Sequence, residues 1–370
     1  MSRQTGPVRR QLVVNLSALM EKPTGLSVYA RNVVPHLEEL EPIVLIRESL
    51  MASWATKHPG LRLEPIRNDL SADSGAKGHA RRLAWVETVL AARLRRITDP
   101  VLFSPVPEAP LFRRVPSVVT VFDFIPRLFY PRSHPLHQYT RHYVPRVLRA
   151  ATRVISISEA TAADAVRFGK IPRSKIDVTP LACDTDHFRP LGLERKPYFL
   201  YLGRYAPYKN IELALRGFSD AAIDGFEFWM AGPPDPGFDE LLREYRDRRG
   251  LSVRFIPYPS YDDLPLLLGE ATALVFPSRY EGFGLPILEA MACGTPVITS
   301  NASAMPEVAG DAAILVGPDD AAGLTSALIS IAHDPVLASS LGAGGLARSR
   351  AFSWSAVGRH TVSVIRTQLN

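Results

Sequence analysis

The sequence predicts an α/β protein built from two Rossmann-like domains. Short apolar segments alternate with helix-like segments along the chain, and such alternation is typical of parallel strands joined by crossover helices. A chain of 370 residues is long enough for two domains of ordinary size. A strand, a glycine-containing turn and a helix follow one another between residues 273 and 293, which is an arrangement that binds anions.

The composition is that of an ordinary globular protein, with 46% hydrophobic and 22% charged residues. No apolar run approaches the roughly 20 residues that span a bilayer. The basic segment from Met1 to Arg10 leads into a strand-like segment and not into the apolar core of a signal peptide. The two cysteines, Cys183 and Cys293, lack the spacing of a metal site and favour the reducing cytosol.

The first half of the chain contains the strands of the first domain. The strand-like segments are 12 to 15, 43 to 46, 101 to 103, 118 to 122 and 154 to 156. The turn from Pro23 to Ser27 leads into a helix predicted from about Val28 to Leu40, and Gly25 in this turn is a candidate phosphate contact. Ser158 is placed to cap a further helix.

Asp123 follows directly after one of these strands, where open α/β sheets place the groups that contact ligands. The segment after it contains His134, His137 and His142, whose irregular spacing argues against a metal site. We expect these histidines in a solvated loop or in an acceptor site.

Arginine is concentrated before residue 150, and the net charge of the chain is +6. The amphipathic segment from Leu83 to Leu94 is flanked by five of these residues, Arg81, Arg82, Arg93, Arg95 and Arg96. One interpretation is a helix packed on the first sheet with a solvated basic face. The other is adhesion to anionic lipid. Nucleic acid is less favoured, because no recognised binding module accompanies the charge.

The second half opens with a short acidic segment and then an apolar strand, Tyr198 to Leu202. Asp184 and Asp186 invite a metal interpretation, although an isolated pair supplies few oxygen ligands. Arg204 and Lys209 lie in the loop after the strand, where two cations can hold a diphosphate. The alternative for both is an ordinary solvent-exposed position.

The strand from Ala273 to Phe276 leads through a glycine turn into a helix predicted from Leu285 to Cys293. Pro286 is near the first turn of this helix, where proline is tolerated. Glu281 lies before the turn, and Glu289 is expected to face the sheet edge rather than water. A buried acid needs partners, and a pair of sugar or ribose hydroxyls is a good candidate.

The segment from Pro277 to Val297 resembles the donor-site signature of a large family of retaining glycosyltransferases, family 4 or group 1, which includes bacterial mannosyltransferases and sucrose synthase. Its two glutamates, Glu281 and Glu289, are separated by seven residues as in the family. The family pattern G-R-x-x-x-x-K-N matches residues 203 to 210. The N-terminal pattern G-G-x-x-x-Y matches at Gly25 and Tyr29, with Thr24 in place of the first glycine.

The resemblance implies the GT-B arrangement, in which two Rossmann-like domains face each other across a cleft. The implied domains are residues 1–184 on the acceptor side, residues 185–352 for the nucleotide-sugar donor, and a terminal helix, 353–370, that crosses back to the first domain. The implied reaction moves a hexose, mannose or a 6-deoxyhexose, from a nucleotide-sugar, with GDP as the expected nucleotide, to a hydroxyl. The new linkage would be α.

The expected site residues follow from the same resemblance. The catalytic residues are expected to be Glu281, Arg204, Lys209 and Asp123. The donor-binding residues are expected to be Arg204, Lys209, Glu281, Gly282, Phe283, Gly284, Leu285, Pro286, Glu289 and Gly25. The cations and the helix amides would hold the diphosphate, Glu289 the ribose and Glu281 the sugar.

Two positions depart from the family pattern. Phe122 stands where several branches have a histidine that contacts the donor sugar, and a phenyl ring cannot exchange hydrogen bonds with a hydroxyl. This favours a 6-deoxy sugar or a shifted donor. In the edge Ile256-Pro257-Tyr258, which resembles the segment that contacts the nucleobase, Pro257 replaces glycine and no base can be named from it.

The resemblance implies no metal and no cofactor besides the nucleotide-sugar. The expected acceptor is a glycan or a lipid-linked glycan, and the expected location is the cytoplasm, with peripheral contact at the inner face of the membrane as an option; no nucleic-acid partner is expected. The alternatives are a sugar-nucleotide epimerase, which would turn over donor alone, a phosphorylase, which would need inorganic phosphate, and a non-catalytic nucleotide or sugar binder.

Overall fold

The computed structural model describes residues 10–21, 25–112, 115–257 and 259–370, apart from the side chains of Ala72 and Arg248. The chain divides into two compact units. Unit 1 consists of the residues up to Leu181 together with Trp354–Asn370, and unit 2 consists of Ala182–Ser353. The expected features at Thr24 and Tyr258 lie outside the described residues.

Unit 1 contains a seven-stranded parallel sheet in the order β3-β2-β1-β4-β5-β6-β7. Its strands are β1 Gln11–Asn15, β2 Ile43–Arg47, β3 Arg62–Ile66, β4 Pro100–Ser104, β5 Ser117–Val121, β6 Arg153–Ser156 and β7 Ile176–Val178. The central strands are buried along almost their whole length, as expected when helices cover both faces of a parallel sheet. The edge strand β3 is largely exposed or half-buried, which explains why its sequence has no clear apolar pattern.

The helices of unit 1 alternate with these strands. They are α1 Gly25–Val33, α2 Glu48–Lys57, α3 Gly75–Trp85, α4 Ala91–Leu94, α5 Ile125–Phe129, α6 Pro135–Gln138, α7 Val144–Ala150 and α8 Glu159–Gly169. The last helix of the chain, Trp354–Leu369, packs on α1 within the same unit. Helix α1 starts three residues earlier than the sequence predicted and tightens into a 3₁₀ segment, Val34–Leu40, where Pro35 interrupts it. Ser158 caps α8 by accepting a hydrogen bond from the Thr161 amide at 3.0 Å, as predicted.

The amphipathic segment between residues 83 and 94 is helical and packs into the core of unit 1 through Trp85, Val86, Leu90 and Leu94. The prediction of a solvated basic face is wrong for one of the flanking arginines, Arg82. Arg82 is only 6% exposed and ion-paired, so it does not belong to a solvated basic face. Of the two alternatives for the histidines, the solvated loop is wrong for His137, since this residue is buried and its Nδ1 lies 3.2 Å from the carbonyl oxygen of Tyr130; the acceptor-site alternative stays a prediction.

Unit 2 contains a six-stranded parallel sheet in the order β10-β9-β8-β11-β12-β13. Its strands are β8 Lys196–Leu202, β9 Glu227–Gly232, β10 Val253–Pro257, β11 Ala271–Phe276, β12 Val297–Ser300 and β13 Ile314–Val316. Its helices are α9 Ile211–Ala221, α10 Pro236–Leu242, α11 Leu264–Gly269, α12 Leu285–Ala292, α13 Met305–Ala309, α14 Ala321–His333 and α15 Pro335–Ser349. Strand β11 is fully buried at the centre of the sheet, so the loop that follows it emerges in the middle of one edge.

No single helix in the described part of the chain is long and apolar enough to cross a membrane. One pair of helical segments, Ala321–His333 and Pro335–Leu369, has sufficient length and apolar composition when taken together, but the pair is bent by 101°.

Candidate active site

The turn between β11 and α12 depends on one glycine. Gly284 has φ +114°, a value that residues with a side chain rarely adopt, and a Cβ added there would lie 3.1 Å from Ile287 Cδ1. Helix α12 begins at the next residue, with Pro286 in its first turn as predicted. The first turn of a helix has amide groups without intrahelical acceptors and a positive end of the helix dipole. This turn is therefore suited to hold an anionic group.

Lys209 and Glu281 meet at this edge of unit 2. Lys209 Nζ lies 2.7 Å from Glu281 Oε1, and the pair is a charge contact without the angles of a hydrogen bond. The ammonium group also lies 4.7 Å from the centre of the Phe276 ring. The backbone carbonyl of Glu281 accepts a hydrogen bond from Ser303 Oγ at 2.7 Å. Because Glu281 is only 9% exposed, the lysine both neutralises and orients a buried carboxylate.

Asn210, which the motif contained but to which we assigned no role, ties three loops together. Its side-chain amide donates to the carbonyls of Pro277 at 3.1 Å and Pro318 at 2.8 Å, which follow β11 and β13. Asn210 itself follows β8 in a left-handed conformation with φ +57°. A second link runs from the Arg279 amide to the carbonyl of Tyr208 at 2.7 Å. These bonds fix the loop that holds Lys209 against the loop that holds Glu281.

Arg204 lies in the same loop after β8, but its side chain is exposed. The backbone there is anchored, because the Tyr201 hydroxyl donates to the Arg204 carbonyl at 3.1 Å. The preceding residue, Gly203, approaches the end of β9 so closely that a Cβ on Gly232 would lie 2.0 Å from the Gly203 carbonyl oxygen. Arg204 is thus a cation on a firmly held backbone with a side chain open to ligand.

Glu289 lies on α12 about one turn after the helix begins. Burial raises the pKa of its carboxyl group to about 7, and no charged or hydrogen-bonding partner within the described residues offsets that burial. The thiols of Cys183 and Cys293 lie close enough that, after burial itself, the Glu289 charge contributes to raising the pKa of each to about 12. Glu289 is therefore a half-buried acid without a hydrogen-bond donor among the described residues, and its contact with a ribose stays a prediction.

Asp123 and Gly25 belong to unit 1. Asp123 lies at the carboxyl end of β5, where Oδ1 accepts the Ile125 amide hydrogen at 2.8 Å. Phe122 packs edge-on against the buried Tyr29 ring at 5.3 Å, and Asp123 and Phe122 line a cavity of about 520 Å³. Gly25 begins α1, where a Cβ added to it would meet no atom of the described, non-adjacent residues within 4 Å, and its neighbour Leu26 lines the same cavity.

Four residues around this cavity were not found from the sequence: His79, Arg82, Glu108 and Tyr139. Arg82 forms a two-pronged ion pair with Glu108, at 2.8 and 2.9 Å, and both side chains are buried. The two partners are 26 residues apart and belong to no local motif. The sequence signal that could have predicted a buried ion pair is the position of Arg82 on the apolar face of its helix.

Both halves of the chain match known protein families. Residues 23–187 match the family model described as "Glycosyltransferase Family 4", and residues 184–347 match "Glycosyl transferases group 1". The chain is 28% identical to O-antigen chain mannosyltransferase B of Escherichia coli over 93% of this chain and 96% of that protein. It is 26% identical to O-antigen chain mannosyltransferase RfbU of Salmonella typhimurium over 88% of this chain and 92% of that protein.

A solved structure of Anabaena HepE in complex with UDP and glucose has a similar fold, with a TM-score of 0.71 and 16% identity over 97% of this chain and 100% of that one. The predicted GT-B fold class is therefore confirmed. The two family models together extend from residue 23 to residue 347, and the chain belongs to the glycosyltransferases of family 4 and group 1.

Proposed function

We propose that this enzyme is a retaining glycosyltransferase that moves a hexose, mannose or a 6-deoxyhexose, from a GDP-sugar to a hydroxyl of a glycan or lipid-linked glycan. The observation that supports it best is the Lys209–Glu281 pair, 2.7 Å apart at the edge of a parallel sheet and followed by the α12 N-terminus. The similarity to two O-antigen mannosyltransferases favours mannose and a surface-glycan acceptor.

The proposed chemistry is stabilisation of the leaving diphosphate. As the bond between sugar and phosphate breaks, negative charge builds on the diphosphate, and preorganised cations and amides stabilise such charge. Lys209, the exposed Arg204 and the backbone N–H groups of Gly284 and Leu285 would supply that stabilisation, whereas Pro286 has no N–H to donate. These groups supply positive charge without a metal ion, so we propose that the reaction needs none.

The two glutamates would hold the donor by different parts. Glu289 lacks a hydrogen-bond partner within the described residues, and the vicinal hydroxyls of a ribose would provide two donors. Glu281 is placed beside Lys209, so its free oxygen would receive a hydroxyl of the donor sugar. We do not assign Glu281 as a covalent nucleophile. Attack on the same face that the diphosphate leaves would retain the configuration and give an α linkage.

The identity of the sugar is expected to depend on Phe122. Its ring offers no hydrogen bond to a hydroxyl, unlike the histidine of the family pattern. We propose that a 6-deoxyhexose is accepted at least as well as mannose. Kinetics with GDP-mannose and GDP-linked 6-deoxyhexoses test this, and a clear preference for the 6-hydroxylated sugar would contradict it.

The first test is a thermal-shift panel of GDP, UDP, ADP and dTDP and their sugars. A ligand at one hundred times its dissociation constant stabilises its binding protein by about 2.7 kcal/mol. We expect one nucleotide to stand out and Lys209→Ala to remove its effect. Lys196→Ala is the matched control, because Lys196 is likewise paired with a glutamate, Glu270 at 2.6 Å, but lies at the start of β8, whereas Lys209 lies in the loop after that strand.

No shift with any nucleotide, or an equal loss in both variants, would refute the proposed donor site. Anomeric analysis of the product by NMR then tests retention, since a β product would contradict the mechanism. Donor turnover without acceptor would indicate the epimerase alternative.

We further infer that the enzyme works in the cytoplasm at the inner membrane face, on a lipid-linked acceptor. A second cavity in unit 1, of about 540 Å³, is lined by Arg67, Arg81 and Arg93 together with Trp85 and the 42% exposed Val89. A basic rim around apolar groups suits an anionic lipid surface. Flotation with vesicles that contain or lack anionic lipid tests this inference, and equal binding to both would contradict it.

A further inference from the structure

The 520 Å³ cavity of unit 1 has walls that are unusual for a sugar site. It lies where β1, β4 and β5 end, and most of its lining is apolar, including Ala18, Met20, Leu26, Val106, Leu136 and Val144. Ligand cavities of this size are normally mostly apolar with a few placed polar groups. The chemistry of the ligand therefore depends on which polar groups of the lining are free to form hydrogen bonds with it.

Most of the polar groups around the cavity are already engaged with the protein. The Arg82 guanidinium bonds to both oxygens of Glu108 and, at 3.1 Å, to the carbonyl of Leu70. The Tyr139 hydroxyl donates to Glu108 Oε1 at 3.2 Å. The Thr140 hydroxyl donates to the carbonyl of Leu136 at 2.9 Å. A hexose has several hydroxyl groups, and each one buried without a partner costs about 1–3 kcal/mol.

Among the described residues that line the cavity, His79 has a buried ring nitrogen without a hydrogen-bond partner. Its Nδ1 lies 2.7 Å from an Arg82 nitrogen, and because a guanidinium can only donate, Nδ1 must be the acceptor. The ring hydrogen is then on Nε2, which is buried and has no hydrogen-bond partner among the described residues. Burial, reinforced by the Arg82 charge, lowers the pKa of His79, so the ring is neutral at pH 7. His79 thus offers one fixed N–H donor in an apolar cavity.

We propose that this cavity binds an apolar aglycone of the acceptor, a hydrocarbon or aromatic group attached to a sugar through an oxygen that accepts the His79 Nε2–H. Burying such a group leaves no hydroxyl without a partner and satisfies the buried His79 N–H, which has no partner among the described residues. The inference rests on the proposed transferase function, because it assigns the ligand to the acceptor. The cavity is separate in sequence from every donor-site residue of unit 2.

The test compares two probes, methyl and hexyl α-D-mannopyranoside, by calorimetric titration of the full chain. The probes share one sugar and differ by five methylenes, and each methylene that becomes buried strengthens binding about fourfold. We expect the hexyl glycoside to bind at least tenfold more tightly than the methyl glycoside. Equal affinities, or no binding of either probe, would overturn the proposal.

A matched pair of variants locates the hydrocarbon. Ala76 lines the cavity and is exposed, so Ala76→Phe fills the cavity without disturbing the core. Ala80 is also exposed on α3, one turn later, and is outside the cavity lining. We expect Ala76→Phe to abolish the preference for the hexyl glycoside and Ala80→Phe to keep it. The same affinities in both variants would overturn the assignment to this cavity.

A second pair tests His79 as the specificity-determining donor. His79→Phe keeps a ring against Tyr139, which the histidine contacts edge-on at 4.7 Å, but removes the N–H. We expect it to weaken hexyl glycoside binding about fivefold, and His79→Gln, whose amide N–H reaches a similar position, to restore most of the loss. A purely structural role would lower the melting temperature of both variants without this split in affinity.

The two proposals fail in different ways. Nucleotide binding with its dependence on Lys209 reports on unit 2 alone, whereas glycoside binding with its dependence on Ala76 reports on unit 1 alone. Nucleotide shifts without a preference for the hexyl glycoside would refute the aglycone site and leave the transferase intact. A hexyl preference without any nucleotide shift would refute the transferase function and with it the acceptor assignment.

Discussion

Replacing Glu289 by glutamine should stabilise the free enzyme at alkaline pH. Burial raises the pKa of this carboxyl from 4.5 to about 7. A raised carboxyl pKa means that the folded state binds the proton more tightly than the unfolded state. The folded state is therefore increasingly disfavoured as the pH rises from about 4.5 to about 7, and the penalty is complete above that range.

The size of the effect follows from the shift. Each pKa unit corresponds to 1.36 kcal/mol, so the raised value corresponds to a penalty of about 3 kcal/mol at pH 8. Glutamine has nearly the same shape and no charge to bury. We expect Glu289→Gln to gain up to about 3 kcal/mol at pH 8, or roughly 6–12 °C in melting temperature for a unit of this size, and the gain to shrink toward pH 4.5.

The assay is thermal unfolding of the wild-type and variant enzymes at pH 8, 6 and 4.5, without ligand. Glu240→Gln, the same change at an exposed position on α10 of the same unit, is the control and should have no comparable effect. Nucleotide binding should move in the opposite direction, because the amide offers a weaker acceptor to ribose hydroxyls. A loss of stability at pH 8, or a gain that does not depend on pH, would refute the reasoning.

Three further changes test the packing around the sites. Arg82→Met should destabilise unit 1 by about 3–5 kcal/mol in urea unfolding, because it leaves the buried Glu108 charge unpaired, and Glu108→Leu added to it should recover most of the loss. Gly284→Ala should cost about 1–2 kcal/mol, through its positive φ and the contact with Ile287, and weaken nucleotide binding in a titration. Lys209→Ala should lower kcat on the order of 10²-fold in a transfer assay, whereas unchanged turnover would remove it from the catalytic site.

The parts of the molecule that could be predicted from sequence are those with local causes. The strand, turn and helix around Gly284 follow from an apolar run, a glycine that can adopt positive φ, and a proline placed where a helix tolerates it. Each of these signals acts within a few residues, so the prediction of α12 differs from the structure only at its last residue. The same holds for the Ser158 cap of α8.

The parts that could not be predicted have tertiary causes. Arg82 looked like one more arginine of a basic helix face, and only its distant partner Glu108 shows that it is buried. Asn210 was visible in a motif, but its role depends on two carbonyls that lie 67 and 108 residues further along the chain. His79 had no signal at all, since its tautomer is set by Arg82 and its surroundings by three strand ends.

Glu289 and His79 share a physical property that links structure to function in both units. Each is a polar group without a hydrogen-bond partner among the described residues, with His79 Nε2 fully buried and the Glu289 side chain half-buried, and withdrawing such groups from water destabilises the free protein. The two groups require opposite partners, because the Glu289 carboxylate accepts hydrogen bonds from hydroxyl donors, whereas the neutral His79 Nε2–H donates a hydrogen bond to an oxygen acceptor. A nucleoside has the vicinal hydroxyls that suit the first, and the bridging oxygen of a glycoside suits the second. Saturating one unit with its ligand should therefore raise the stability of that unit and leave the unpaired group of the other unchanged.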